Sequence, residues 1–127
     1  MEKGESAIMI LIVEDNDAMR ELLKTLLQND GHEVLSAHDG LEAVRLYKTA
    51  REKIELVITD VEMPNLSGVE AFRQIKKMNP GAKVIFVSGA MNRRLEEQLQ
   101  NEGIQAFFQK PYAPADILTK IREILGE

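Results

Sequence analysis

Apolar residues gather in five short runs along the chain, each rich in Ile, Val, Leu or Phe. Runs of this length, bounded by polar residues, are typical of buried strands. Their first residues lie 23 to 27 positions apart, by subtraction along the sequence. That interval leaves room for one helix between each pair of strands. The five runs are 7–13, 32–37, 55–60, 82–88 and 105–109.

The segments that follow the runs show the apolar spacing of amphipathic helices. After the first run, apolar residues recur every three or four positions from Met19 to Leu27. Asp17 is the expected N-cap of this helix, and Gly31 is its expected stop. Comparable stripes follow the second, third and fifth runs, so these segments are also predicted to be helical.

The fourth predicted helix has a much thinner apolar stripe than the others. In the segment 91–103, only Met91, Leu95 and Leu99 form its apolar side before Gly103. We therefore expect this helix to pack lightly and to present a large polar surface.

Alternation of strands and helices predicts a parallel sheet that is covered by helices on both faces. Right-handed crossovers then give a doubly wound α/β domain, expected to span residues 7–127 after a flexible leader at residues 1–6. Such folds bind ligands beyond the carboxyl ends of their strands. Functional side chains are therefore expected at those ends.

Composition and charge narrow the classes of function. A chain of 127 residues with 44% hydrophobic residues suits one domain with a full core. A net charge of −5 argues against a nucleic-acid surface, and the absence of Cys excludes disulfides and thiolate chemistry. The apolar runs are too short to span a membrane. We expect a cytoplasmic domain without membrane contact.

Charged and polar side chains stand at the predicted ends of four strands. The first strand ends at Glu14-Asp15, the third at Asp60, the fourth at Ser88 and the fifth at Lys110. Two carboxylates about 4 Å apart repel by roughly 4 kcal/mol at an effective dielectric near 20, so either the pKa of one of them rises or a cation neutralises them. An all-oxygen site favours a hard cation such as Mg²⁺.

This set of residues contains what phosphoryl transfer to a carboxylate requires. Asp60 is the candidate nucleophile, a metal and Lys110 would offset negative charge, and Ser88 would donate a hydrogen bond. Taken singly, each residue also has a purely structural interpretation. Asp60 can be a turn residue, Glu14-Asp15 can cap a helix, Ser88 can be a helix N-cap and Lys110 can be a surface lysine.

The order of these motifs resembles that of response-regulator receiver domains over residues 7 to 125. The matching features are Glu14-Asp15, Asp60 in "DVEMPNLSG", Ser88 in "VSGA" and Lys110-Pro111. The resemblance implies a flavodoxin-like sheet with strand order 2-1-3-4-5 and a cis Lys110-Pro111 bond.

The resemblance also implies a role for each matching residue. Asp60 is then the phosphoacceptor. Glu14, Asp15, Asp60 and the backbone carbonyl of Glu62 hold Mg²⁺ or Mn²⁺. Lys110 and Ser88 assist the transfer, and Ser88 acts with the ring of Phe107 as a switch.

The partner implied by the resemblance is a histidine kinase or a histidine phosphotransfer protein. A switching domain would also present a protein-binding or homodimer surface on the fourth helix, fifth strand and fifth helix. The alternative is a passive phosphorelay or phosphate-sink module of a hybrid histidine kinase. A hydrolase with an aspartyl-phosphate intermediate is a third possibility, with Glu62 as its only acid-base candidate near Asp60. The isolated domain would catalyse only its own phosphorylation and dephosphorylation, so its status as an enzyme stays open.

Four positions depart from the commonest pattern of the family. Glu14 replaces an Asp, which leaves room for water between the carboxylate and the metal. Ser88 replaces Thr, and Phe107 stands where Tyr is common, so a switch would rest on ring burial. The side chain of Glu62 is long enough to reach a phosphoryl group on Asp60. One of the neighbours Phe107 and Phe108 is expected in the core, because adjacent strand residues point to opposite faces.

Overall fold

The computed structural model describes residues 7–63, 65–90 and 92–126, and over these it forms five strands that alternate with five helices. The strands are β1 (Met9–Val13), β2 (Glu33–Ala37), β3 (Ile54–Asp60), β4 (Val84–Ser88) and β5 (Ala106–Gln109). The helices are α1 (Asp17–Asn29), α2 (Gly40–Ala50), α3 (Gly68–Met78), α4 (Arg93–Asn101) and α5 (Pro114–Ile124). The predicted leader, residues 1–6, lies outside the described residues.

The five strands pair in parallel in the order β2-β1-β3-β4-β5. This order confirms the predicted doubly wound sheet. All the strands therefore direct their carboxyl ends to one edge, where β1 and β3 are neighbours. Within this edge β3 continues one residue beyond the pairing of Val13 with Thr59, which places Asp60 at its tip.

The core has two layers, one on each face of the sheet. Alternate strand residues supply each layer, since side chains along a strand point to opposite faces. On one face α2, α3 and α4 contribute Tyr47, Phe72 and Leu99. On the other face α1 and α5 contribute Leu27 and Ile121. The sheet is thus covered on both sides, as its nearly continuous apolar strands require.

The neighbouring rings of β5 are divided between these two layers. Phe107 packs on the layer of α2, α3 and α4, and Phe108 packs on that of α1 and α5. Both rings are only half-buried. The opposite orientation and the packing of a ring on the core were expected; neither ring is fully buried, because β5 is the edge strand of the sheet.

Two helix starts differ from the sequence interpretation. The N-cap of α1 is Asn16, not Asp17: the extended Asn16 accepts a hydrogen bond from the Met19 amide at 3.0 Å. Asp17 is the first helical residue, and an acid there still faces the positive end of the helix dipole. Ser88 caps no helix, because Asn92 caps α4.

The apolar side of α4 is as thin as its sequence indicates. Leu99 is fully buried, Leu95 is half-buried, and Arg93 and Arg94 are exposed. Met91, which was predicted to belong to this side, lies outside the described residues. The first residues of α4 are therefore exposed, and its one fully buried side chain, Leu99, lies in the last turn.

Candidate functional site

The carboxyl edge of the sheet brings the predicted carboxylates and Lys110 into contact. Lys110 Nζ donates hydrogen bonds to Glu14 Oε1 at 2.8 Å and to Asp60 Oδ2 at 2.5 Å. Glu14 and Asp60 are buried, with 6% and 5% of their surfaces exposed. The ammonium therefore joins the ends of β1, β3 and β5 at the point where the sheet stops.

Three carboxylates converge at this edge. Glu14, Asp15 and Asp60 each offer an oxygen, and these oxygens lie within 4.8 Å of one another. Asp15 is exposed, unlike the other two. Three carboxylates and the Lys110 ammonium give a formal charge of −3 + 1 = −2. A divalent cation would balance this charge, and the oxygen donors suit Mg²⁺.

Glu14 is held firmly by its surroundings. Its Oε2 accepts a hydrogen bond from the Asn16 amide at 3.1 Å, while Oε1 accepts from Lys110. Its carbonyl accepts from Arg20 Nη1 at 2.8 Å, and Arg20 Nη2 in turn pairs with Asp17 at 2.6 Å. Sequence reasoning missed Arg20, although its position one turn into α1, three residues after an acid, was an available signal. Arg20 fixes the corner between β1 and α1.

The backbone of Gly68 lies unusually close to that of Asp60. A Cβ atom on Gly68 would lie 1.8 Å from the Asp60 carbonyl oxygen. The Gly68 amide donates to the Val61 carbonyl at 2.9 Å, which closes the loop between β3 and α3. Only glycine fits at this crossing, so Gly68 is a second residue that sequence reasoning did not select.

The loop between β3 and α3 is also tied to the start of α2. Asp39 caps α2 by accepting from the Glu42 amide at 2.8 Å, and its second oxygen accepts from Asn65 Nδ2 at 2.8 Å. Asn65 has a φ of 67°, a left-handed conformation that Asn adopts more readily than most residues. The Gly40 amide donates to the Leu66 carbonyl at 3.2 Å. These bonds fix the segment that carries Glu62.

Burial and the fixed charges act in opposite directions on the pKa values of the site. Burial raises the pKa of Asp60 above its ordinary value and outweighs the hydrogen bond and charge of Lys110. Burial alone would lower the pKa of Lys110, but its bonds to Asp60 and Glu14 raise it overall. The Lys110 side chain thus stays a cation throughout the neutral range.

Ser88 lies at the end of β4 and bonds to the loop after β3. Its residue surface is 1% exposed, and Oγ lies 3.1 and 3.3 Å from the two carboxylate oxygens of Glu62. The Glu62 amide also donates to Asp60 Oδ1 at 3.2 Å. The sequence indicated that the Glu62 side chain could reach this region, but not that it would engage Ser88.

The remaining predicted features lie on β5 and in the loop after it. Phe107 pairs in register with Phe86 of β4, two residues before the pair formed by Ser88 and Gln109. The Lys110-Pro111 peptide bond is cis, as expected. Four of the predicted site residues therefore form one cluster: Glu14, Asp15, Asp60 and Lys110. Ser88 contacts Glu62 beside this cluster. Phe107 lies on the face of the sheet that α4 covers.

Comparison with known proteins agrees with this geometry. The sequence profile of the response regulator receiver domain matches residues 10–122. The chemotaxis protein CheY of Thermotoga maritima is 32% identical over 116 residues, which are 91% of this chain and 95% of that protein. A response regulator receiver domain protein from Clostridium thermocellum has the same fold, with a TM-score of 0.89, 32% identity and 94% coverage of both chains.

Two further similarities extend the comparison. The structure of a CheX–CheY–BeF₃–Mg²⁺ complex from Borrelia burgdorferi matches with a TM-score of 0.88 and 27% identity, over 92% of this chain and 88% of that one. The sensor kinase CckA of Brucella abortus is 32% identical over 91% of this chain, but the chain spans only 12% of that kinase.

The chain belongs to the response regulator receiver domain family, the phosphoacceptor domains of two-component signalling. Its fold, strand order and acidic pocket are those predicted from the sequence.

Proposed function

We propose that Asp60 accepts a phosphoryl group from a phosphohistidine of a histidine kinase or histidine phosphotransfer protein. The observation that carries this proposal is the Glu14–Asp15–Asp60 cluster, in which the buried Asp60 contacts the Lys110 ammonium. The receiver domain is proposed to span residues 7–127 and to act in the cytoplasm.

The proposed step exchanges one bond to phosphorus for another. A carboxylate oxygen of Asp60 attacks phosphorus, and the P–N bond to the imidazole breaks. The electron pair of that bond goes to the ring nitrogen, and the imidazole, protonated on its other ring nitrogen, leaves as a neutral base. Lys110 is positioned to offset the negative charge on the transferred group, because its Nζ already contacts Asp60. The Ser88 hydroxyl is proposed to donate a hydrogen bond to a phosphoryl oxygen.

The chain has residues that fit a divalent cation at this site. Asp15 is exposed and is the candidate direct ligand, while both carboxylate oxygens of Glu14 already accept hydrogen bonds. Glu14 is therefore proposed to contact the cation through water. Asp60 and the Glu62 backbone carbonyl are proposed to complete the set of ligands. Bound Mg²⁺ or Mn²⁺ would supply the positive charge that lets an anionic donor approach.

An apolar groove beside the acidic cluster supports a protein donor. It lies between α1 and the segment after Lys110, and Leu22 on its rim is 62% exposed. An exposed leucine in a groove that Pro111, the neighbour of Lys110, also lines suits a helix that carries a phosphohistidine. The groove is lined by Met19, Leu22, Leu23, Leu26, Pro111, Tyr112 and Pro114.

The output surface is proposed to be α4, β5 and α5, through which a partner or a second copy would bind. Ser88 supports this choice, because the Ala90 amide donates to its Oγ at 3.2 Å and thereby links the site to the segment that leads into α4. The alternative is a passive relay without conformational output. A change in the environment of Phe107 on phosphorylation would distinguish the switch from the relay.

Labelling with acetyl phosphate tests the phosphoacceptor assignment. Wild-type protein with Mg²⁺ should gain one phosphoryl group, located on Asp60 by mass spectrometry. Asp60→Asn should gain none, and Asp15→Ala should lose the metal dependence together with most of the labelling. Glu21→Ala is the matched control, since Glu21 is an exposed acid on α1, and it should label normally. Equal labelling of wild type and Asp60→Asn would refute the assignment.

A further inference from the structure

Glu62 contacts both the proposed phosphoacceptor and the proposed switch hydroxyl. Its amide donates to Asp60 Oδ1 at 3.2 Å. Its carboxylate oxygens lie 3.1 and 3.3 Å from Ser88 Oγ. The backbone of one residue thus serves Asp60 while its side chain reaches across to β4.

The Ser88 hydroxyl has one proton and can donate it to one acceptor at a time. Two acceptors are in reach: the Glu62 carboxylate and the Ala90 carbonyl at 3.0 Å. A carboxylate accepts a stronger hydrogen bond than a neutral carbonyl, and the acceptor oxygens of Glu62 and Ala90 lie at similar distances from Ser88 Oγ. The negative charge on Glu62 therefore favours donation to Glu62 before phosphorylation.

We propose that the Glu62 carboxylate is an intramolecular competitor of the phosphoryl group for the Ser88 hydroxyl. This inference rests on the proposed function, since it requires phosphorylation at Asp60. An anionic phosphoryl group there would repel Glu62 and would also need the same proton. Phosphorylation must therefore break the Glu62–Ser88 hydrogen bond. By accepting that bond, Glu62 stabilises the conformation of the unphosphorylated domain.

Two effects of Glu62 can be separated by experiment. Simple charge repulsion weakens binding of any anion at Asp60, whatever residue stands at position 88. Competition for the hydroxyl operates only while Ser88 carries one. A double-mutant cycle between Glu62→Gln and Ser88→Ala isolates the second effect.

The measurement is the affinity of the purified domain for beryllofluoride in the presence of Mg²⁺. Glu62→Gln should bind on the order of tenfold more tightly than wild type, because an amide is a weaker acceptor for Ser88. In the Ser88→Ala background the same substitution should help by only about threefold or less, because charge repulsion alone remains. Glu70→Gln is the matched control: Glu70 is exposed in the first turn of α3, and its neutralisation should leave the affinity nearly unchanged. Thermal melting of each variant verifies that it is folded.

The outcomes distinguish this inference from the function on which it rests. An equal gain from Glu62→Gln in both backgrounds, or no gain at all, would refute competition while leaving Asp60 as the phosphoacceptor. Failure of folded wild-type protein to bind beryllofluoride, together with absence of labelling at Asp60, would overturn both.

Discussion

Asp39 shows how a single residue outside the acidic cluster controls the geometry within it. It is buried, and its carboxylate joins the Glu42 amide at the start of α2 to the Asn65 side chain in the loop after β3. That loop also carries Glu62. The bond from the Glu42 amide is the main cause of the lowered pKa of Asp39, and the Asn65 amide and the neighbouring His38 add to it.

Asp39→Asn should destabilise the domain in a pH-dependent manner. At pH 7 we expect the free energy of unfolding to fall by about 1–2 kcal/mol, because the substitution removes charged hydrogen bonds to a helix N-terminus and to Asn65. A lowered pKa in the folded state stabilises the fold above the ordinary value of 3.8, and this contribution is lost as pH falls through the folded-state pKa. The difference between wild type and variant should therefore shrink below pH 3.8.

Urea unfolding at pH 7 and at pH 3 checks this prediction. Asp116→Asn is a suitable control, because Asp116 is an exposed acid in the first turn of α5. A destabilisation of Asp39→Asn that is the same at both pH values would show that its charge is irrelevant to stability.

The members of the acidic cluster that the sequence identified share one property: each lies at the end of a strand or directly after it. Asp60 and Lys110 could be selected because a parallel sheet brings the carboxyl ends of its strands together. The Glu62–Ser88 contact could not, because it depends on the path of the loop between β3 and α3. That path requires Asn65 at a φ of 67°, which no periodic pattern of apolar residues encodes.

At the scale of elements, the packing of α3 against β3 sets the position of the site. α3 starts at Gly68, where a side chain would collide with the Asp60 carbonyl. The period of apolar residues predicted β3 and α3, but not the distance between their ends. The only sign of a close backbone crossing in a sequence is a glycine. Because glycine also occurs in turns and helix caps, Gly68 alone could not predict the crossing.

Gly68→Ala should therefore damage both stability and phosphorylation. A Cβ atom 1.8 Å from a backbone oxygen forces α3 to shift, and we expect a loss of at least about 2 kcal/mol in the free energy of unfolding. Labelling of Asp60 by acetyl phosphate should slow in the fraction that remains folded. Gly89→Ala is the control, because a Cβ there meets nothing within 4 Å. It should change stability by less than about 1 kcal/mol. Similar stabilities for the two variants would show that α3 can move at little cost.

For the whole molecule, the decisive question is how far a change at Asp60 spreads. Moving a 1:99 equilibrium to 99:1 requires about 5.5 kcal/mol. Hydrogen bonds from Ser88 and Lys110 to a phosphoryl group would supply roughly 1.5–3 kcal/mol each. We therefore expect a partial population shift, which begins at the segment after Ser88 and reaches α4.

Backbone NMR with beryllofluoride and Mg²⁺ checks this expectation. Shift changes should be large at Arg93 and at Phe107, and should decrease along α4 towards Asn101. The physical reason is that α4 is exposed at its start and buried at Leu99. Changes confined to the strand-end loops would favour the passive relay.

The far end of α4 is held by a contact with α3. Arg73 donates to both carboxylate oxygens of Glu102, at 3.0 Å each, just beyond the last residue of α4. Such a partly exposed pair contributes at most about 1 kcal/mol, but its two-point geometry fixes direction as well as distance. The C-terminal end of α4 is thus tied to α3, while its N-terminal end follows the segment that Ser88 contacts. A rotation of α4 would therefore act like that of a lever whose pivot lies at Glu102. A binding surface placed at Arg93 would be displaced most for a given rotation, and one placed near the pivot would scarcely move.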